Sequence, residues 1–237
     1  MITDIVRNVR DYAFAAATAG KRSVTVKGAT LSLEGVSKRM RYVMFRGYET
    51  RDAELAERFI TKTDKVLEAG SSIGFMAITI IKNIGVSHYC MVEANPHLGK
   101  IVRENFRLSN VPFPIWKNVA VGASDDVISF GISKNFWSSS TLARDNEAER
   151  VTVPMVSIPT LLSDLPFSPN VLIMDIEGAE TSIPAADFRH FDKLIIEFHP
   201  KLSGAVPTDE LRRGIIDQGF KEAASAGGTS VFLKRAV

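Results

Sequence analysis

From residue 64 onward, short apolar runs alternate with stretches of helical periodicity, and this rhythm constrains the fold more than any other feature. The runs are apolar at nearly every position, which indicates strands that are buried on both sides. Such strands, when they alternate with helices, form a parallel sheet with helices on both faces. The sequence therefore predicts an α/β fold. The predicted strands lie in "KVLEA", "HYCMVEA", "PIWKNVAVG", "NVLIMDIEGAE" and "DKLIIEFHP", followed by an antiparallel hairpin of "FKEAAS" and "TSVFLKR".

Two other regions depart from this rhythm. Residues 123–157 contain the strands "DVISFGI" and "VTVPMVSI" on either side of a polar loop. Residues 1–60 are predicted to form an N-terminal extension: a helix that ends near Gly20, short strands that include "SVTVKGATLSLEG" and "RYVMFRG", and a helix in "TRDAELAERFI". Residues 61–237 are expected to form the main domain. On this interpretation, the basic residues Lys38, Arg39 and Arg41 belong to a solvated strand edge.

Composition excludes several classes of protein. The 237 residues are 45% hydrophobic and 24% charged, which is typical of a globular chain with a sizeable core. A net charge of +2 gives no basic surface for nucleic acid, and no apolar run approaches the roughly 20 residues of a membrane span. The single cysteine, Cys90, cannot form a disulfide within the chain and is expected to be a small buried hydrophobe. We expect a cytoplasmic protein with no nucleic-acid partner.

The turn after the first strand of the main domain, "VLEAGSSIGF", suggests a ligand site. Gly70 and Gly74 lack a β-carbon, so the backbone there can approach a ligand closely. Ligands of open α/β sheets lie at the carboxyl ends of the strands. A dinucleotide-binding turn would read G-x-G-x-x-G, whereas this one reads E-x-G-x-x-x-G, with Glu68 before the first glycine. This pattern favours a ligand with a positive charge over a diphosphate.

A second acid, Glu93, ends the next strand 19 residues after Gly74. A carboxylate at that place can accept two hydrogen bonds from a ribose diol. Glycine turns are frequent in α/β proteins, and a strand-end acid can simply be solvated, so neither feature is specific alone. Together they indicate an adenosine with a cationic tail. S-adenosylmethionine has this structure.

With these residues in place, the chain resembles the FkbM family of S-adenosylmethionine-dependent methyltransferases from about Gly47 to the C-terminus. The matching motifs are "GYE", "LEAGSSIG", "VEANP", "NVAVG", "LIMDIEGAE" and "IIEFH". The resemblance implies a Rossmann-like class I methyltransferase fold, with a seven-stranded, mostly parallel sheet, helices on both faces and an antiparallel last strand. It also implies O-methylation of a hydroxyl on a small molecule, such as a sugar or another natural-product scaffold.

The resemblance also implies which residues bind the cofactor. Most of them belong to the turns after the first two strands. The implied contacts are Glu49, Glu68, Gly70, Ser71, Ser72 and Gly74, then Glu93, Ala94 and Asn95 at the ribose, Asn118, Val119 and Ala120 at the adenine, Asp175, and the polar loop of Ser138, Ser139 and Ser140. The family often has Asp at Glu68 and Ala-Asn at Ser71 and Ser72, and it usually has Lys at Ile173, so this chain lacks a cation there.

Methylation of a hydroxyl needs a group that removes the proton as the new bond forms. His199 is the first candidate for this base, because its ordinary pKa leaves it neutral at cellular pH. Asp175 could be the base or could orient the substrate and the sulfonium. Glu177, Glu180 and Glu197 are further candidates for the base. Asp175 and Glu177 could alternatively hold a divalent cation, but the sequence shows no further ligand set, so it assigns no metal site. Glu180 could equally be a capping or surface acid.

Three other functions compete with this one. A methyltransferase of the same fold could act on a macromolecule, although the charge does not favour nucleic acid. A nucleotide-binding oxidoreductase is disfavoured by the absent G-x-G. A catalytically silent module could retain the fold, since the fold alone does not fix the function.

Overall fold

The computed structural model describes residues 2–133 and 147–235. Helices and strands alternate through its central part, as the sequence predicts. The α-helices are α1 (Ile2–Ala17), α2 (Lys38–Phe45), α3 (Thr50–Glu57), α4 (Phe75–Ile84), α5 (Gly99–Ser109), α6 (Ile158–Ser163), α7 (Pro200–Ser203) and α8 (Ala205–Asp217). The strands are β1 (Ser23–Val26), β2 (Ala29–Ser32), β3 (Lys65–Ala69), β4 (His88–Val92), β5 (Ile115–Lys117), β6 (Ala120–Gly122), β7 (Asp126–Ser133), β8 (Glu147–Ser157), β9 (Val171–Met174), β10 (Lys193–Glu197), β11 (Phe220–Ala226) and β12 (Thr229–Lys234).

A seven-stranded sheet forms the centre of the molecule, in the order β11-β12-β10-β9-β3-β4-β5. Strand β3 pairs in parallel with β4 and with β9, and the last strand, β12, runs antiparallel to β10. The predicted α/β class, the strand number and the antiparallel last strand are confirmed. From β3 the chain builds the sheet outward to β5 and then returns to add β9 on the other side. This change of direction creates a crevice at the carboxyl ends of β3 and β9.

Both faces of this sheet are buried, which explains why its strands lack a polar face. Leu67 is in register with Cys90 and Leu172, and all three pack on the face covered by α6 and α8. Alternate residues such as Val66 and Ile173 pack on the opposite face, under α3, α4 and α5. Side chains that alternate between two buried faces give the continuous apolar runs of the sequence.

The hairpin of β1 and β2 packs against α5. Ser32 N–H donates to Asn105 Oδ1 at 2.7 Å, and Asn105 Nδ2 donates to Ile73 O at 2.9 Å. Asn105 is fully buried and so connects the hairpin to the turn after β3. Helix α1 packs on α2, where the ring of Phe14 lies 5.3 Å from the ring of Tyr42. Among the described residues, no helix has both the length and the apolar character that crossing a bilayer requires.

The structure corrects two element predictions. The segment "RYVMFRG" lies in helix α2 and is not a strand; Met40 and Met44 are one turn apart and both buried, and Ser37 caps the helix start by accepting from Met40 N–H. Lys38, Arg39 and Arg41 are therefore helical. The segment "PIWKNVAVG" forms two strands, because β5 pairs with β4 whereas β6 joins β7 and β8 in a separate three-stranded sheet.

Candidate functional site

A cleft opens at the carboxyl ends of β3, β4 and β9. Its lining combines apolar walls with four carboxylates. The lining residues are Tyr48, Glu49, Gly70, Ser72, Val92, Glu93, Ala94, Val119, Ala120, Val121, Phe130, Asp175, Ile176, Glu177 and Ala179. The described lining contains no Lys, Arg or His.

The two glycines of the turn after β3 make room mainly for protein atoms. A β-carbon on Gly70 would lie 1.7 Å from the carbonyl oxygen of Asp175, and one on Gly74 would lie 2.9 Å from the ring of Phe106. Gly70 therefore lets the turns after β3 and β9 touch, and its backbone lines the cleft. Gly74 lets α4 pack on α5. The sequence suggested that both glycines make room for a ligand, whereas here the space is filled by the chain itself.

Glu93 is a buried carboxylate that organises the floor of the cleft. Its Oε2 accepts the N–H of Ser72 and its Oε1 accepts the N–H of Asn95, both at 2.7 Å. Burial raises the pKa of Glu93, although these N–H bonds oppose that rise. Asn118 supports the same turn from behind, because its Nδ2 donates to Glu93 O at 2.7 Å. Each carboxylate oxygen of Glu93 keeps capacity for a further hydrogen bond.

Three non-glycine residues of the cleft have left-handed backbone conformations. They are Glu49 (φ 48°), Ser72 (φ 47°) and Glu177 (φ 56°), which come from three different segments of the chain. This conformation costs about 1 kcal/mol or more for a residue with a β-carbon, and such strain is concentrated at functional sites. The convergence of three such residues on one cleft indicates that its shape is maintained at a cost to stability.

Glu68 does not line this cleft. Its carboxyl lies in an adjoining cavity, where Tyr89 Oη donates to Oε2 at 2.9 Å. Asp52 and Glu197 line the same cavity, and Glu49, Gly70 and Asp175 line both spaces. Burial raises the pKa of Glu68 to about 8, with the hydrogen bond from Tyr89 opposing the rise.

His199 stands at the centre of a carboxylate cluster beside the cleft. Its Nδ1 lies 2.9 Å from Glu180 Oε1, and its Nε2 lies 3.6 Å from Asp175 Oδ1, 3.8 Å from Glu177 Oε2 and 3.9 Å from Glu197 Oε1. Strand β9 ends just before Asp175, and β10 ends at Glu197, so adjacent parallel strands bring these groups together. The structure thus juxtaposes the three predicted catalytic residues.

The crowding of carboxylates alters proton affinity across the cluster. Burial and then repulsion from Glu197, Glu177 and Glu49 raise the pKa of Asp175 well above its ordinary value. Burial also raises the pKa of Glu49, to about 8. Burial alone would lower the pKa of His199, but the hydrogen bond to Glu180 and the negative charges of Glu180, Glu177 and Glu197 together outweigh burial, so the pKa is raised.

The predicted cofactor residues therefore fall into three groups. Those that line the cleft are Glu49, Gly70, Ser72, Glu93, Ala94, Val119, Ala120 and Asp175. Those that lie behind its wall are Glu68, Ser71, Gly74, Asn95 and Asn118. Ser138, Ser139 and Ser140 lie outside the described residues, so Ser139 stays a prediction.

Two residues of the site, Phe130 and Tyr48, have no role predicted from the sequence, and a third, Glu180, is considered there only as a candidate base or as a capping or surface acid. Phe130 comes from the three-stranded sheet, and Tyr48 had been noted only within the "GYE" motif. Glu180 is 1% exposed, and its Oε1 also accepts the N–H groups of Ile176 and Gly178 at 3.2 and 3.1 Å. It is thus a buried acid that fixes the turn after β9. Its spacing from Ile176 was visible in the sequence, but its contact with His199 was not.

Asp175, Glu177 and His199 also have the composition of a metal site. Each offers one ligand atom, and these atoms lie within 4.8 Å of one another. Carboxylate oxygens and imidazole nitrogens are common ligands of divalent cations in proteins.

No protein-family model and no curated protein matches the sequence. Among solved structures, the methyltransferase FkbM from Methylobacillus flagellatus KT is similar, with a TM-score of 0.50 and 14% identity over 98% of this chain and 60% of that one. The chain thus spans less than two thirds of that protein. A putative O-methyltransferase from Klebsiella pneumoniae gives a TM-score of 0.48 at 12% identity, covering 79% of this chain and 80% of that one.

A third similar structure is the magnesium protoporphyrin IX methyltransferase from Synechocystis PCC 6803 with bound SAM. Its TM-score is 0.47 at 12% identity, and the match covers 83% of this chain and 84% of that one. At these identities the comparisons concern the fold alone. The chain has the Rossmann-like fold of class I methyltransferases.

Proposed function

We propose that the protein binds S-adenosylmethionine in the cleft and transfers its methyl group to a hydroxyl of a small molecule, such as a sugar or glycoside. The observation that carries this proposal is the set of acids in the described cleft lining. It contains Glu49, Glu93, Asp175 and Glu177 without a Lys or Arg. A diphosphate would find no cationic partner in such a lining, whereas the positive sulfur of the cofactor would favour the ionised form of these acids and bind beside them. The fold is consistent with this proposal.

The cofactor contacts follow from the placement of the side chains. The ribose hydroxyls would donate to Glu93, whose oxygens each hold one backbone N–H and can accept one more hydrogen bond. The adenine would lie against Val119 and Ala120, between the apolar walls of the cleft. The methionine end would lie along Gly70 and Ser72, toward the adjoining acidic cavity. Four further residues would hold the turns in place without contacting the cofactor: Ser71, Gly74, Asn95 and Asn118.

The cofactor supplies an electrophilic methyl group on a positively charged sulfur. The protein then has to align the acceptor oxygen with that methyl group and keep water out. Asp175, Glu177 and His199 form one polar cluster at the edge of the cleft and would accept or direct the hydroxyl proton. Carboxylates near the sulfur would favour binding of the positively charged cofactor, and the polar cluster would lie close enough to the acceptor oxygen to take up its proton.

Membership of the FkbM family is part of the proposal and rests on the motifs at 68–74, 92–96 and 172–180. A small acceptor is favoured over a nucleic acid because the net charge is only +2.

Calorimetry with S-adenosylhomocysteine and with NAD tests the binding proposal. We expect the first ligand to bind and the second not to bind. Binding of NAD without S-adenosylhomocysteine would overturn the proposal. A labelled-methyl transfer assay against a panel of glycosides and hydroxylated metabolites, scored by mass spectrometry, tests the acceptor class. Labelling of added RNA or protein, but of no metabolite, would overturn the small-molecule assignment.

A further inference from the structure

The imidazole of His199 is held in one orientation by a buried acid. Nδ1 lies 2.9 Å from Glu180 Oε1, which already accepts N–H groups from Ile176 and Gly178. An oxygen that accepts two N–H groups acts as an acceptor for the third contact too, so Nδ1 carries the hydrogen. In the neutral ring, Nε2 then presents its lone pair. This is how a protein prepares a histidine as a metal ligand, with a carboxylate on the other ring nitrogen.

The lone pair of Nε2 faces further lone pairs. Three carboxylate oxygens, from Asp175, Glu177 and Glu197, lie 3.6, 3.8 and 3.9 Å away. A direct charged hydrogen bond would bring one of them to about 2.7 to 2.9 Å. Two ligands that are each about 2.1 Å from a shared ion lie between about 3.0 and 4.2 Å apart, depending on the angle at the ion. All three measured distances fall in that range.

Asp175 provides a second, independent observation. Its Oδ1 is a buried atom that has no hydrogen-bond partner in the described part of the chain. Within the described residues, His199 is the only basic side chain within 4.0 Å of the carboxylates of Asp175 or Glu197. The raised pKa of Asp175 reflects burial and then the repulsion between these crowded carboxylates. A cation at this place would pair with the buried acceptor atom of Asp175 and would relieve that repulsion.

We propose that Asp175, Glu177 and His199 bind one divalent cation, with Glu180 as the positioning residue behind His199. A set of carboxylate oxygens with one imidazole suits Mn²⁺ or Mg²⁺. The sequence offered only Asp175 and Glu177 for such a site. The fold adds His199, which follows the neighbouring strand β10.

The consequence for catalysis rests on the proposed function. With a cation bound, Asp175, Glu177 and His199 would act as its ligands and not as the base. The cation would bind the acceptor hydroxyl and lower its pKa, so that its proton is lost to solvent through the open cleft. The oxygen would then form the new C–O bond while the C–S bond breaks, and the electron pair of that bond would neutralise the sulfur. Three protein ligands leave about three positions on a six-coordinate ion. These positions favour an acceptor with two adjacent oxygens, such as a vicinal diol or a 2-hydroxy acid.

Titration of the metal-free protein with Mn²⁺, followed by the loss of the free-ion electron paramagnetic resonance signal, tests the site without an activity assay. We expect one bound Mn²⁺ per chain with a dissociation constant below about 1 mM. His199→Gln should weaken binding by about tenfold or more. The His199 side chain lines neither the cofactor cleft nor the adjoining cavity, so affinity for S-adenosylhomocysteine should stay within about twofold. Asp164→Asn, which removes an exposed acid paired with Lys117, is the matched control and should change neither constant.

A spectroscopic measurement on the unmodified protein guards against variants that fold poorly. Electron spin echo modulation of bound Mn²⁺ should show coupling to one imidazole nitrogen, and this coupling should be absent in His199→Gln. Absence of Mn²⁺ binding to the wild type, or equal binding by His199→Gln and the wild type, would overturn the inference while S-adenosylhomocysteine binding remained intact. If the wild type does not bind S-adenosylhomocysteine, the proposed function is overturned instead.

Discussion

Replacement of Gly70 by Ala tests how the cleft is built. Gly70 has φ +86°, and a β-carbon there would lie 1.7 Å from the carbonyl oxygen of Asp175 and 2.7 Å from its carbonyl carbon. Gly85, at the end of α4, has almost the same φ of +83° but no atom within 4 Å of the corresponding position. Gly85→Ala therefore carries the same backbone strain without the clash. It is the matched control.

The expected magnitudes follow from these contacts. The left-handed conformation alone costs about 1 to 2 kcal/mol for either alanine. Relief of the clash at Gly70 requires the turns after β3 and β9 to separate, which strains packing by about 1 to 3 kcal/mol. It also weakens the bond from Asp175 N–H to Ala69 O, now 2.9 Å, by about 1 kcal/mol. We expect Gly70→Ala to lose about 3 to 6 kcal/mol and Gly85→Ala about 1 to 2 kcal/mol.

Urea unfolding followed by far-ultraviolet circular dichroism measures both losses. The turn after β9 is argued to require that residue 70 has no β-carbon. A difference in unfolding free energy of less than about 1 kcal/mol between the two variants would refute this.

Three further predictions concern the cofactor, the chemistry and the core. Glu93→Gln should weaken S-adenosylhomocysteine binding by about tenfold or more in calorimetry, because charged hydrogen bonds to the ribose are lost. His199→Ala should lower methyl transfer by about a hundredfold or more, while cofactor affinity stays within about twofold. Asp64→Asn should lower the unfolding free energy at pH 7 by about 2 to 3 kcal/mol, because Lys193 Nζ lies 2.6 Å from its carboxylate. Burial alone would raise the pKa of Asp64. Hydrogen bonds from Lys193, Thr61 and Asn170 outweigh the effect of burial, so the pKa is lowered.

The sign of the pH effect follows from that lowered pKa. The stability from Asp64 is present above its unfolded pKa of about 3.9 and is lost as the pH falls through the lower folded value. The difference in unfolding free energy between wild type and Asp64→Asn should thus narrow below about pH 4. A difference that stays constant down to pH 2 would contradict the ion-pair account. Unchanged affinity of Glu93→Gln for S-adenosylhomocysteine would refute the contact between Glu93 and the ribose. An unchanged rate of methyl transfer in His199→Ala would refute a role of His199 in the reaction.

The central sheet was predictable because burial on both faces leaves a strong trace in the sequence. Leu67, Cys90 and Leu172 face one layer and Val66 and Ile173 the other, so both alternating sets had to be apolar. The three-stranded sheet was less visible. An apolar run such as "PIWKNVAVG" reports burial, but it does not report which strand is the hydrogen-bonding partner, and so the break at Asn118 was missed.

The site was predictable where it depends on strand ends and unpredictable where it depends on contacts across the chain. Glu93 and Asp175 follow buried strands, so their position at the edge of the sheet could be inferred from sequence. Glu68 also lies near a strand end, yet its side chain points into the adjoining cavity toward Tyr89. The contact between Glu180 and His199 joins residues 19 positions apart and exists only because β9 and β10 are neighbours.

A crystal structure of the protein with S-adenosylhomocysteine tests the central claim most directly. The account predicts the ribose hydroxyls within about 3.2 Å of the Glu93 carboxylate and the sulfur directed toward Asp175. A complex in which the ligand lies outside this cleft, or in which Glu93 does not contact the ribose, would contradict it.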